Sequence, residues 1–188
     1  SQSVGRVVID GSPRTVTVGS DVRAESILIG SNDTLNAGGA NTIAVAGDFT
    51  NQNNFVALSS TLAIVGDGTN AIVTTNGSNL SSFTASTTGG GTVAFTESSV
   101  TLLGSFTIAT GTVTLPTTEL AVAGSFRNTG GAFAHNNSNV VFTGGGSNDI
   151  ELNGTPFLNS FYDVTFSGTG DWTFLDTNAT TTNTWTHT

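Results

Sequence analysis

The chain has 188 residues, with 36% hydrophobic residues, only 9% charged residues and a formal net charge of −9. Its four cations, Arg6, Arg14, Arg23 and Arg127, are too few for the basic patch that a nucleic-acid backbone or an anionic membrane surface requires. The absence of Cys excludes disulfides and thiolate metal sites, and no apolar run approaches the roughly 18 residues of a membrane-spanning helix. There is also no Met, so Ser1 reads as a processed or trimmed end.

Taken in chain order, the apolar and β-branched runs predict strands at Arg6–Asp10, Thr15–Val18, Ser26–Ile29, Thr42–Ala46, Phe55–Leu58, Leu62–Val65, Ala71–Thr74 and Thr92–Phe95. The series continues with Val100–Leu103, Thr112–Leu115, Leu120–Ala123, Ala132–Ala134, Val140–Phe142, Asp163–Phe166 and Trp172–Leu175. Several runs, such as Thr15–Val18 and Thr112–Leu115, alternate polar and apolar residues as a half-buried strand does. Between them lie turn-forming clusters: Gly11-Ser12-Pro13, Asn36-Ala37-Gly38-Gly39, Asn76-Gly77, Gly89-Gly90-Gly91 and Gly144-Gly145-Gly146. No segment has a convincing helical period.

Ile43–Leu58 (IAVAGDFTNQNNFVAL) aligns without gaps on Leu120–His135 (LAVAGSFRNTGGAFAH), and Leu103–Thr107 (LGSFT) is a partial third copy. The turn marker recurs at Gly47, Gly66, Gly104 and Gly124. Steps of about 20 residues suit a coil of three short strands and three turns. The expected fold is therefore an all-β, single-domain parallel β-solenoid over residues 1–188, with roughly nine coils of about 20 residues and a length of roughly 45 Å at one strand spacing per coil. Residues 1–40 read as an N-terminal cap or an exchanged strand, and residues 176–188 as an extended C-terminal tail. A β-sandwich completed by a donated strand is the alternative.

The run VTLLGSFTIATGTVTLPTTELAVAGSFRNTGGAFAHNNSNVVFTGGGSNDIELNG, followed by FYDVTFSGTGDWTF, resembles the repeats of large bacterial surface proteins of the autotransporter-passenger and adhesin-like kind. Those alternate phrases of the form GxFxNxGxF, VxFxGxG and VTFxGxGTWTF. The resemblance covers about residues 40–175. It implies a right-handed parallel β-helix and an extracellular or cell-surface location, and it specifies no activity.

Candidate chemistry is sparse. Asp48 and Asp67 each follow a Gly and lie 19 positions apart, so stacking would give a carboxylate pair suited to a polysaccharide-active enzyme. The alignment places Ser105 and Ser125 opposite Asp48, which favours a turn role. Gly144–Leu152 (GGGSNDIEL) is similar to a calcium-binding nonapeptide, but Ser147 and Glu151 depart from the pattern and no tandem copy follows. His135 and His187 have no partners at ligand spacing. Thr15-x-Thr17, Thr112-x-Thr114 and Thr184-x-Thr186 do not recur at a constant coil period, as an ice-binding ladder would. Tyr162, Trp172 and Trp185 are read as core or subunit-contact residues before a sugar platform. No catalytic residue, metal or cofactor is assigned.

The reading that remains is structural: a non-enzymatic extracellular subunit that assembles head to tail with copies of itself into a surface filament or fibre. Residues 1–25 balance three Arg against three acids, whereas residues 149–188 carry five acids and no Arg. The candidate subunit interface is accordingly Arg6, Arg14 and Arg23 at one pole against Asp171, Asp176 and Trp185 at the other. Sequons at Asn32, Asn76, Asn79, Asn136, Asn153 and Asn178 are candidate N-glycosylation positions. The alternatives are a monomeric adhesin-like stalk or passenger segment that binds a glycan or a cell surface, and the polysaccharide-active enzyme.

Overall fold

Short strands separated by tight corners return the chain over itself every 19 to 24 residues, the extremes being the pairings of Thr42 with Thr61 and of Phe126 with Ile150. The structure is a computed structural model that describes residues 3–153, 159–176 and 179–188. The first coil comprises β1 (Ser3–Val4), β2 (Val7–Ile9) and β3 (Thr15–Thr17), and the second β4 (Val22–Ala24), β5 (Ile27–Ile29) and β6 (Thr34–Asn36). The third holds β7 (Thr42–Val45), β8 (Phe49–Asn51) and β9 (Asn54–Val56), and the fourth only β10 (Thr61–Ile64) and β11 (Asn70–Thr74). Coil five has β12 (Ser82–Ser86), β13 (Thr92–Phe95) and β14 (Ser99–Leu102); coil six has β15 (Phe106–Thr110), β16 (Thr112–Thr114) and β17 (Glu119–Val122). Coil seven has β18 (Phe126–Asn128), β19 (Ala132–Ala134) and β20 (Asn139–Phe142). Coil eight contributes β21 (Ser147–Leu152) and β22 (Phe161–Phe166), and the last coil β23 (Asp171–Phe174) and β24 (Thr181–His187).

Among the described residues there is no helix, and the strands pair in parallel from coil to coil. They form three faces. The first is a nine-stranded sheet running from β1 to β23, and the second a seven-stranded sheet running from β2 to β19. The third is split into β3-β6-β9 and β14-β17-β20-β22-β24. The fold is thus the expected all-β solenoid, with about eight turns, close to the nine expected. The uniformly parallel pairing displaces the β-sandwich alternative, whose sheets are antiparallel. Residues 3–36 lie in the same coil register as the rest, and β24 pairs with β22. At about 4.8 Å per coil, the eight steps of the first face span roughly 38 Å.

Alternate residues on each strand point into the prism. The first face contributes the inward column Val22, Ile43, Leu62, Phe83, Phe106, Phe126, Ile150 and Phe174. Phe83 and Phe106 stack with ring centroids 5.3 Å apart, and Phe106 and Phe126 at 5.0 Å. Burial of these columns supplies the main stabilisation. The low charge content follows from the geometry: outward positions need only small polar or β-branched residues, and the sheets have no need of a second layer.

The split in the third face is a local substitution of side chains for a strand. On the third side of coil four, Leu80 makes a lone bridge to Leu102, and Thr75–Ser78 forms a turn closed by a Ser78 N–H to Thr75 carbonyl bond of 3.0 Å. Buried Asn51 donates through Nδ2 to the Thr75 carbonyl at 2.6 Å and to Ser78 Oγ at 3.0 Å. Glu97 Oε1 accepts the N–H groups of Thr75 and, at 2.6 Å, Asn76. These bonds satisfy backbone groups that would otherwise lie unpaired beside the core.

The strand reading missed β1, β4, β6, β8, β12, β15, β18, β21 and β24, the last of which lies in the segment read as an extended tail. Segments such as SFTAS and FRN carry too few apolar residues to stand out as runs: Ser82, Thr84, Ser86 and Arg127 point outward, and the inward position after Phe126 is the buried Asn128.

Candidate functional site: corners and rod ends

The corners explain the internal repeat and correct its phase. Ile43–Val45 lies in β7 and Phe49 in β8, so the first copy turns from face one to face two. Leu120–Val122 lies in β17 and Phe126 in β18, so the second copy turns from face three to face one. The aligned phrases are two solutions to the same corner problem at different vertices, and Gly47 does not stack on Gly124. The true glycine column is Gly104, Gly124, Gly144 and Gly168, each two positions after the paired series Leu102, Val122, Phe142 and Phe166. A Cβ on Gly144 would lie 1.7 Å from the Ala123 carbonyl oxygen, and one on Gly168 2.2 Å from that of Gly144. Backbone passes so close to backbone at this vertex that only Gly fits. The apolar-x-Gly phrases LLG, VAG, FTG and FSG carried that signal in the sequence.

Asp48 and Asp67 do not stack. Val45 and Phe49 of coil three pair with Ile64 and Val73 of coil four, so the corner between faces one and two is five residues longer in coil four and carries Asp67 outward. Asp48 instead lies beside Ile72 and accepts its N–H at 2.8 Å, whereas Asp67 accepts the Thr88 hydroxyl at 2.8 Å and bridges Thr88. In the Gly144–Leu152 segment, Asp149 forms an ion pair with Arg127, and its N–H donates to Ser125 Oγ at 2.9 Å. The three Thr-x-Thr segments lie on β3, β16 and β24, in three different sheets. His135 stacks on Tyr162 at 5.4 Å and accepts the Asn137 N–H at Nδ1. Among the described residues no three His, Cys, Asp or Glu side chains gather as a metal centre.

Asn32, Asn76, Asn79 and Asn136 are exposed. Asn76, Asn136 and half-buried Asn153 have positive φ, and each donates through Nδ2 to a carbonyl of the preceding coil: Asn53, Leu115 and Gly131 respectively. Left-handed turns tolerate Asn, and here its amide also ties one coil to the next. Asn178 lies outside the described residues.

The two ends of the rod share one property: inward positions remain open to solvent. Val16 continues the column of Leu35 and Phe55 yet is 39% exposed, and Val4 continues that of Ala24 and Val45 yet is 48% exposed. With Val7, Ile9, Val18 and Leu35 they line an apolar cavity of about 340 Å³. At the other end Trp185 continues the column Val100, Leu120, Val140 and Val164, and is 45% exposed. Its ring lies 5.9 Å from Phe166 and 5.2 Å from Phe174. Trp172 and Phe174, two apart on β23, face the same way; Trp172 packs on Phe142 and Phe166 at 6.0 and 5.5 Å.

Of the six candidate interface residues, Arg6 and Arg14 are exposed on the first coil and Arg23 on the second, while Asp171 and Trp185 are exposed on the last. Two are already engaged: Arg14 Nε lies 3.9 Å from Asp33, and Asp176 accepts the Leu152 N–H. Comparison with known protein families, curated proteins and solved structures finds no match.

Proposed function

We propose that this protein is a non-enzymatic structural subunit of an extracellular surface fibre, in which the coils of one copy continue axially into those of the next. The observation that carries the reading is the exposure of inward, core-type positions at both ends: Val4 and Val16 around an apolar cavity, and Trp185 beside Phe174. A parallel coil laid on either end would bury these residues and pair the outer edges of β1–β3 and of β23–β24. Arg6 and Arg14 on the first coil, facing Asp171 on the last, favour a head-to-tail contact, which yields an open polymer when it does not close on itself.

Electron microscopy and sedimentation of the purified chain at moderate salt test this. Filaments with an axial repeat near the roughly 40 Å length of the rod are expected. Monodisperse monomers across all concentrations and salts would sink it.

A second reading, a segment of an adhesin-like stalk that presents a binding face, draws on the same exposed Trp185, because an indole face can stack on a sugar ring. Glycan-array binding lost in Trp185→Ala, by a chain that stays monomeric, would favour it over the fibre.

A further inference from the structure

The first two coils hold a carboxylate that the rest of the fold leaves half satisfied. Asp33 is fully buried. Its Oδ1 accepts the Arg14 backbone N–H at 3.1 Å and lies 3.9 Å from Arg14 Nε, whereas its Oδ2 is buried without a hydrogen-bond partner. A carboxylate oxygen in that position is costly unless something positive meets it. The oxygen faces Gly30. A Cβ on Gly30 would lie 3.0 Å from Asp33 Oδ2, 2.7 Å from Asp10 Oδ1 and 3.0 Å from the Ile9 carbonyl oxygen. Three oxygens from two successive coils therefore converge beside a position that only glycine leaves open. Asp10 Oδ1 accepts the Gly11 N–H at 2.8 Å, and the Ile9 carbonyl accepts the Gly30 N–H at 2.7 Å; each keeps a free lone pair.

We propose that Asp10 Oδ1, Asp33 Oδ2 and the Ile9 carbonyl bind a Ca²⁺ ion outward of Gly30, clipping the first coil to the second. The donor set is all oxygen, includes a backbone carbonyl and is irregular, which suits Ca²⁺ and disfavours Mg²⁺ with its strict octahedron. Asp10 and Gly11 are exposed, so water completes the coordination from the solvent side. Two carboxylates set a weak affinity, roughly 0.1–1 mM, the range of extracellular calcium modules. Arg14 is the competing cation; its side chain is 53% exposed and has room to swing away.

The test uses the full chain stripped with EGTA and titrated with CaCl₂ at fixed ionic strength, read by calorimetry and by thermal unfolding. One ion per chain is expected, with Tm rising by about 3–5 °C at ten times Kd, and a smaller shift with Mg²⁺. Asp10→Asn changes an exposed side chain and should fold normally but lose both the heat and the shift. Gly30→Ala, whose methyl group fills the position, should lose them as well, and Arg14→Gln should bind several-fold tighter. The site is overturned if the unaltered chain shows no saturable Ca²⁺ heat, if the Tm shift persists in Asp10→Asn, or if Arg14→Gln abolishes binding.

Discussion

Trp185 gives the most direct test of axial association. It sits in an inward column of the third face yet is 45% exposed. With roughly 250 Å² for a whole Trp side chain, about 110 Å² is open to solvent. Covering that area with another coil at about 25 cal/mol per Å² contributes about 2.5–3 kcal/mol. At about 1.4 kcal/mol per decade, Trp185→Ala should raise the critical concentration for assembly by roughly 60- to 140-fold, and Trp185→Phe by about tenfold or less. Pelleting and light scattering across a concentration series, with electron microscopy at each plateau, measure it. Because Trp185 also packs on Phe166 and Phe174, far-UV circular dichroism must show that the variant keeps its strands. Leu103→Ala is the control, since Leu103 is 59% exposed at a corner in mid-rod and should leave the critical concentration unchanged. A folded Trp185→Ala chain that assembles at the wild-type concentration refutes the reasoning.

Phe106 lies in the middle of the stacked Phe83–Phe106–Phe126 column and is fully buried; Phe106→Ala should cost about 4–5 kcal/mol in urea unfolding, and a loss under about 2 kcal/mol would mean the coils close over the cavity. Gly144→Ala should abolish soluble folded protein, because its Cβ meets the Ala123 carbonyl at 1.7 Å, whereas Gly19→Ala, with nothing within 4 Å, should stay within about 0.5 kcal/mol of wild type. Asn51→Ala and Glu97→Ala both release the Thr75–Ser78 turn. Each should cost about 1–3 kcal/mol and speed amide exchange at Asn76, and the double mutant should show a coupling of at least about 0.5 kcal/mol; strict additivity would separate the two supports.

The architecture was legible because a solenoid writes its period into the sequence: Gly-punctuated strands, no helix signal and a step near 20 residues. The phase was harder to read. Two different corners of the three-sided coil, β7 to β8 and β17 to β18, meet the same local requirements, namely an apolar strand end, a residue without a side chain where backbones come close, a small polar residue, then a large apolar one. The phrases AVAGDF and AVAGSF therefore look equivalent while sitting at different vertices. An alignment of two phrases cannot separate a step of one coil from a step of one coil plus one side. Corner insertions, such as the one that carries Asp67 outward in coil four, shift the count again. Register resolves this, because Val45 pairs with Ile64 while Phe49 pairs with Val73.

The same limit hid the rod ends. In sequence, Val16 is an apolar residue in a Thr-rich run and Trp185 an aromatic in a polar tail. Neither differs visibly from an outward residue such as Ile72, which is 44% exposed. Only the pairing of Val16 with Leu35 and of Trp185 with Val164 shows that both belong to columns that are buried everywhere else along the rod. An exposed outward residue is ordinary on a protein surface. An exposed inward one is a core position that lacks its next layer, and its burial is worth the same free energy whether the layer comes from this chain or another copy. That equivalence puts the decisive experiment for the proposed axial association on Trp185.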